Sequence, residues 1–148
     1  MQPIIQLTRV QTHYLRGRAF QGIDMKVTGG CHCGLVRFEA DVPDGPVEVL
    51  DCNCSICSMT GYLHLIVSDS RFRLIDGQQD TSTYRFGTGT ARHIFCTQCG
   101  IKSFYRPRSH PDGISINYRC LDEGHGLDVT IKAYDGGGDW EAARAGLA

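Results

Sequence analysis

Cysteines are the residues of this sequence best suited to chemistry, and seven of the eight fall in three short motifs. Pairs spaced C-x-C or C-x-x-C bring two thiolates to one ion at about 2.3 Å, and the N–H groups of a glycine-containing turn stabilise the negative sulfurs. One such motif is weak evidence, but three in 148 residues strongly predict metal binding. The motifs are Cys31-His32-Cys33, Cys52-Asn53-Cys54-Ser55-Ile56-Cys57 and Cys96-Thr97-Gln98-Cys99.

The seven motif cysteines divide naturally as four plus three. The two motifs with two sulfurs each can form a closed site, which joins distant chain segments and is structural. The third motif supplies three thiolates and leaves a fourth coordination position open to an exchangeable ligand. Zinc is the favoured ion, with an iron–sulfur cluster as the alternative. We call these the four-cysteine site (Cys31, Cys33, Cys96 and Cys99) and the three-cysteine loop (Cys52, Cys54 and Cys57).

The open position indicates thiol chemistry rather than water activation. Zinc with three thiolates carries a charge of about −1, and sulfur donation weakens its Lewis acidity. A thiol in the fourth position would lose its proton and stay nucleophilic toward an electrophile such as an aldehyde. Zinc deaminases do activate water, but their H-x-E and P-C-x-x-C elements do not occur here. Two alternatives stay open: both sites are structural, or the three-cysteine loop is a set of free thiols.

Cys120 and four histidines are further candidates for metal binding, but each can also be an ordinary core, strand or surface residue. Cys120 falls on the apolar face of an alternating pattern over 114–120, where a thiol packs as a small hydrophobic group. The histidines offer fourth ligands or hydrogen bonds to ligands, but each is interpreted first as an ordinary surface or strand residue. These histidines are His32, His64, His93 and His110.

The segment 106–113 is a basic, proline-stiffened loop. Its Arg106 and Arg108 are candidates for binding a substrate carboxylate, because a planar guanidinium can donate two hydrogen bonds to it. A solvated turn is the alternative interpretation.

Composition excludes several classes of protein. With 41% hydrophobic and 21% charged residues, the chain is globular rather than disordered. Its net charge of −1 provides no field for binding nucleic acid or an anionic membrane. No apolar run approaches the roughly 20 residues of a spanning helix, and residues 1–27 lack the apolar core of a signal peptide. We therefore expect a cytoplasmic protein, in which metal binding is favoured over disulfides.

Hydrophobic patterning predicts a mostly β protein. Short apolar or alternating segments are separated by glycine-rich turns, and the only helical signals are a turn around 58–60 and a short helix at 140–145 capped by Asp139. We expect an N-terminal extension over 1–24 and a single domain over 25–148. Strands are predicted at 35–40, 47–50, 62–67, 72–75, 81–86, 91–95, 114–120 and 129–134.

The cysteine motifs resemble those of the glutathione-dependent formaldehyde-activating enzyme family, which also contains centromere protein V. The resemblance covers about 25–145 and depends on the order C-x-C, C-x-C-x-x-C, C-x-x-C-G. Two of its stretches, SFYRPRSHPDG and CLDEG, look closer to the centromere protein V branch. The matching stretches are GGCHCGLVRFEA at 29–40, CNCSICSMTGYLHLIV at 52–67, FCTQCGIKSFYRPRSHPDG at 95–113 and CLDEG at 120–124.

This resemblance implies a zinc-stapled β-tent (Mss4-like) fold of several small antiparallel sheets. It also implies two zinc ions per chain, a structural one on the four-cysteine site and a working one on the three-cysteine loop. In the family's namesake, formaldehyde and glutathione combine into S-hydroxymethylglutathione, with the thiol drawn to the three-cysteine zinc.

From the residues and the resemblance together we expect a zinc-dependent carbon–sulfur lyase acting on a glutathione-like thiol and a small aldehyde. Its catalytic residues would be Cys52, Cys54 and Cys57, with Arg106 and Arg108 binding the thiol substrate. The expected partners are small molecules, not nucleic acid or a membrane. The alternative is a non-enzymatic zinc-binding interaction module.

Overall fold

Ten short strands, one α-helix and two single-turn 3₁₀ helices make up residues 23–138, the part of the chain that the computed structural model describes. No helix in this range is long and apolar enough to cross a membrane. The expected helix at 140–145 lies outside the described residues. In chain order the elements are β1 (Met25–Gly30), β2 (Arg37–Val42), β3 (Val47–Cys52), α1 (Ser55–Thr60), β4 (Leu63–Ser68), a 3₁₀ helix (Asp69–Arg71), β5 (Phe72–Asp76), β6 (Thr81–Tyr84), β7 (His93–Cys96), β8 (Phe104–Tyr105), β9 (Gly113–Asn117), a 3₁₀ helix (Tyr118–Cys120) and β10 (Val129–Tyr134).

Three small sheets contain these strands, which confirms the mostly β architecture predicted from the sequence. The largest has the order β10-β3-β4-β9-β8, the second β1-β2-β5, and the third pairs β6 with β7. Among the described strands, all pairs are antiparallel except β3 with β10, which is parallel. The expectation of antiparallel sheets therefore fails for this pair. Its two strands are far apart in sequence, so no hairpin turn dictates their direction.

The centre of the largest sheet follows the hydrophobic pattern. Strand β4 is a nearly continuous apolar run and is buried on both faces between β3 and β9. The alternating segment 114–120 forms β9 only as far as Asn117. Cys120 then ends a 3₁₀ helix and is half-buried, so its expected place on the buried face of a strand is wrong. The side chain of Asn117 accepts a hydrogen bond from the Arg119 N–H and so stabilises that turn.

Two groups of buried side chains hold the sheets together. The main core joins apolar residues of the two larger sheets, including Val27, Phe38, Leu65 and Ile116, each 2% exposed or less. Within it the Phe38 and Phe104 rings meet edge to face at 6.2 Å. A second, smaller group contains Cys52, Cys57, Tyr62 and Tyr105. Thiols and phenols dominate this second group, so it is the more polar of the two.

Candidate functional site

The four-cysteine site is built from two turns, each following a strand. Cys31 and Cys33 follow β1, and Cys96 ends β7 with Cys99 in the next turn. Gly34 and Gly100 have φ angles of +85° and +74°, which other residues rarely adopt. The N–H of Val36 donates to Cys31 Sγ at 3.3 Å, and the Gly100 N–H donates to the Cys96 carbonyl at 2.9 Å.

Sulfur geometry makes the four-cysteine site suitable for a metal ion. The Sγ atoms of Cys31 and Cys33 lie 3.5 Å apart, and those of Cys33 and Cys96 lie 3.6 Å apart. All four sulfurs, including that of Cys99, lie within 4.8 Å of one another. A closed set of four soft ligands fits zinc and leaves no position for a substrate. An ion here joins segments 63 residues apart in sequence.

The three-cysteine loop connects β3 to α1. Cys52 is the last residue of β3, Cys54 precedes the helix, and Cys57 is the buried residue of its first turn. The spacing of Cys54 and Cys57 places them on one side of the helix start. Cys52 and Cys57 are buried, whereas Cys54 is half-buried. The N–H of Cys54 donates a hydrogen bond to Cys52 Sγ at 3.5 Å.

Hydrogen bonds to Cys52 Sγ favour its anionic form. Interaction with the neighbouring Cys57 thiol, opposed by burial, lowers the pKa of Cys52 to about 6, and the Cys54 N–H contributes to the same shift. The same pairing raises the pKa of Cys57. A bound cation would favour the thiolate form of these cysteines.

His64 joins this loop from the neighbouring strand β4. A ring nitrogen of His64 and the sulfurs of Cys52 and Cys57 lie within 4.8 Å of one another, and all three residues are buried. Cys54 is not part of that group. One feature of the sequence could have indicated that His64 belongs to the site: it is the polar residue inside an otherwise apolar run at 62–67. Burial, with the charge of Lys102, lowers the pKa of His64 to about 4, so its ring is neutral.

Lys102 brings a buried positive charge beside the loop. It is 8% exposed, and its Nζ lies 3.2 Å from His93 Nδ1. The same Nζ lies 4.5 and 4.6 Å from the ring centroids of Tyr62 and Tyr105, within cation–π range. Burial lowers the pKa of Lys102, and the thiols of Cys57 and Cys54 oppose that shift. No motif in the sequence indicated this residue.

A cavity of about 400 Å³ adjoins the three-cysteine loop, within the size range of small-molecule sites. His64, His93 and Tyr105 are among its lining residues, and Arg108 adds a positive charge. The apolar part of the lining comes from β3, β4, the loop and the 86–91 segment. Its apolar side chains are Leu50, Ile56, Ile66, Phe86 and Ala91.

The two predicted substrate-binding arginines have different surroundings. Arg108 lines the cavity. Arg106 does not line it, and its guanidinium pairs with Asp69 at 2.6 Å and donates to the Pro111 carbonyl at 3.0 Å. The structure therefore brings Arg108, but not Arg106, to the cavity of the three-cysteine loop.

The remaining candidates lie away from the three-cysteine loop. His32 is exposed within the turn of the four-cysteine site, and His110 Nδ1 lies 3.0 Å from Ser109 Oγ. Cys120 belongs to neither group of metal-ligating side chains found among residues 23–138. Burial raises the pKa of the Cys120 thiol to about 11, so it is protonated at neutral pH.

Comparison with known proteins identifies the family. The sequence profile of the glutathione-dependent formaldehyde-activating enzyme family matches residues 26–136. A Halomonas elongata (strain ATCC 33173) protein named "Putative glutathione-dependent formaldehyde-activating enzyme" is 34% identical over 83 residues, which are 51% of this chain and 52% of that protein. This chain thus spans about half the length of that relative.

The fold also resembles a solved structure. A crystal structure of a Rhodobacter sphaeroides protein, a structural genomics target, superposes with a TM-score of 0.61 at 31% identity. The superposition covers 70% of this chain and 99% of that one. Because the family profile matches most of the described residues, the chain belongs to the glutathione-dependent formaldehyde-activating enzyme family.

Proposed function

We propose that this protein is a zinc-dependent carbon–sulfur lyase that joins a glutathione-like thiol to a small aldehyde such as formaldehyde. The observation that carries the proposal is the cavity of about 400 Å³ that the three-cysteine loop shares with Arg108. Such a cavity is large enough for a small thiol and places sulfur ligands and a carboxylate-binding group around one space. Membership of the family supports the same reaction.

The proposal includes two zinc ions per chain, and the two groups of ligating side chains support it. The four-cysteine site would hold a structural ion, because its ligands are complete and join distant segments. Cys52, Cys54 and Cys57 would hold the second ion. When bound there, zinc stabilises the anionic form of a thiol at neutral pH.

The proposed reaction needs no oxidant or reductant. The thiol sulfur bonds to the carbonyl carbon of the aldehyde, and the carbonyl π bond breaks toward its oxygen. The proton that the thiol loses ends on that oxygen, so the product is the S-hydroxymethyl adduct. The reverse reaction breaks the same carbon–sulfur bond, which makes the enzyme a carbon–sulfur lyase.

Residues around the cavity have distinct roles in this proposal. Arg108 would bind a carboxylate of the thiol substrate by two hydrogen bonds. Apolar side chains such as Ile56 and Phe86 would limit water beside the aldehyde. The buried charge of Lys102 offsets the negative charge of the neighbouring thiolates.

Calorimetric titration of the zinc-loaded protein with glutathione, in two buffers of different ionisation enthalpy, tests the proposal. A free thiol has a pKa near 8.5, so it is mostly protonated at pH 7 and should release close to one proton per site on binding. The analogue of glutathione with a hydroxyl in place of the thiol should not compete with glutathione for the site, because the pKa of an alcohol is far higher than that of a thiol. Adduct formation from glutathione and formaldehyde, followed by NMR, should be faster with this protein than without it.

Cys54→Ser, which removes one ligand of the loop, is the matched control and should abolish both effects. Buffer-independent heats, or no binding at millimolar thiol, would contradict the lyase and support the interaction module.

A further inference from the structure

The His64 side chain has a buried nitrogen that nothing in residues 23–138 satisfies. His64 is 5% exposed, and its Nε2 atom is buried without a hydrogen-bond partner among the described residues. Leaving a buried polar atom unpaired costs on the order of 1–3 kcal/mol, so such atoms in folded proteins usually have a partner. The groups that surround the His64 ring therefore indicate which partner Nε2 has in the functional protein.

The other ring nitrogen of His64 is already occupied. Nδ1 lies 3.0 Å from Ser115 Oγ and 3.4 Å from the hydroxyl of Tyr105. When Nδ1–H donates to the serine oxygen, Nε2 carries a lone pair and becomes the acceptor. Metal-binding histidines show this arrangement, in which the second nitrogen is hydrogen-bonded and the ring is thereby oriented.

The sulfurs near His64 complete a ligand set. A ring nitrogen of His64 and the sulfurs of Cys52 and Cys57 form the second of two groups in residues 23–138 whose ligand atoms lie within 4.8 Å of one another, and each of these three residues is buried. Imidazole nitrogen and thiolate sulfur are both preferred zinc ligands. His93 provides a contrast, because its Nε2 is also buried and unpaired but it belongs to no group of three ligating side chains in the described range.

We infer that His64 is a protein ligand of the metal ion held by the three-cysteine loop, with Ser115 as the residue that orients its ring. The inference rests on the proposed function, which places a metal at that loop. It adds one imidazole nitrogen to the sulfur ligands expected at the loop. A substrate thiol and the His64 ring would then compete for one coordination position.

Cadmium NMR of the full chain tests this without measuring activity. With ¹¹³Cd in both sites, proton–cadmium correlation should connect one resonance to cysteine protons of the four-cysteine site. The other resonance should correlate with cysteine protons of the three-cysteine loop and with ring protons of His64. A second resonance that correlates with cysteine protons alone would overturn the inference and assign Nε2 to a hydrogen-bonded water only.

Metal affinity provides a second readout through matched variants. Ser115→Ala should weaken zinc binding at the loop by about 10–100-fold, as loss of a group orienting a metal ligand does. His64→Ala should weaken it at least as much, and His93→Ala should leave it unchanged. Equal zinc affinity in wild-type protein and folded His64→Ala would overturn the inference.

The two proposals fail in different ways. If the cadmium correlation is present but glutathione does not bind, the ligand assignment stands and the lyase does not. If glutathione binds with proton release but the correlation is missing, the lyase stands and His64 is not a ligand.

Discussion

Arg108 is the residue through which the cavity would recognise a charged thiol. Arg108→Ala should raise the dissociation constant of glutathione by about tenfold, because a charge-assisted hydrogen bond is worth roughly 1.5 kcal/mol or more. Titrating glutathione and a neutral thiol such as 2-mercaptoethanol into both proteins measures this effect. Arg106→Ala is the matched control from the same loop, since Arg106 pairs with Asp69. Equal weakening of charged and neutral thiols would remove Arg108 from substrate recognition.

His93 makes folding sensitive to acid. Burial and the nearby charge of Lys102 lower the pKa of His93 to about 4, whereas an unfolded histidine titrates near 6.5. Between these values the unfolded chain binds a proton that the folded protein excludes, so stability falls as pH decreases from about 6.5 to 4. His93→Gln should show a shallower decrease in the free energy of unfolding, measured by denaturant titration across this range. Parallel curves for the two proteins would contradict this role.

At the level of elements, the parallel pair of β3 and β10 shapes the three-cysteine loop. Its register places Tyr134 opposite Cys52, so the chain that follows β10 passes over the loop. Gly136 comes so close that an added Cβ would lie 2.5 Å from Cys52 Sγ. Glycine at this position therefore leaves room for the sulfur, while the Gly136 N–H donates to the Tyr134 carbonyl at 3.2 Å.

Gly136→Ala should displace the Cys52 sulfur and weaken zinc binding at the loop by about tenfold or more. It should cause little loss of fold, because Gly136 lies in the segment after β10 and outside the sheets. Zinc content under chelator competition and the melting temperature of the same samples measure the two effects. Gly138→Ala is the control, since its Cβ would meet Asp135 at an ordinary 3.4 Å. Similar zinc loss in both variants would contradict the steric explanation.

For the molecule as a whole, a zinc ion at the four-cysteine site would be the main cross-link. Structural zinc supplies on the order of 10 kcal/mol in small domains, comparable to total stability. Cys99→Ser should therefore unfold or aggregate the protein, measured as loss of soluble yield and of the cooperative melting transition. A soluble variant with wild-type melting temperature and full zinc content would refute the structural role of this site.

Removing a ligand from the three-cysteine loop should have a different result. The loop is local and closes no long segment of chain, so its metal contributes less to folding. Cys54→Ser should stay folded, with a circular dichroism spectrum like that of the wild type, and should lose about one equivalent of zinc. Insolubility equal to that of Cys99→Ser would make the second site structural as well.

Those features of the protein that depend on local spacing could be predicted from the amino-acid sequence. C-x-C and C-x-x-C motifs indicated two ligand sets, because residues two or three apart reach one ion wherever the fold places them. Apolar runs such as 62–67 predicted the strands with the strongest hydrophobic pattern. Strands β1 and β8 were missed. Strand β1 ends in two glycines and β8 has only two residues, so neither shows a detectable alternation of apolar and polar residues.

The meeting of distant side chains at the three-cysteine loop depends on how the strands pair in the folded protein. His64 lies beside Cys52 and Cys57 because β4 pairs between β3 and β9, a register that also sets Ser115 behind the ring. Lys102 enters from the segment before β8, and Gly136 from the end of a parallel strand. Pairing between strands far apart in sequence depends on the packing of the whole core, and no local pattern in the chain specifies it.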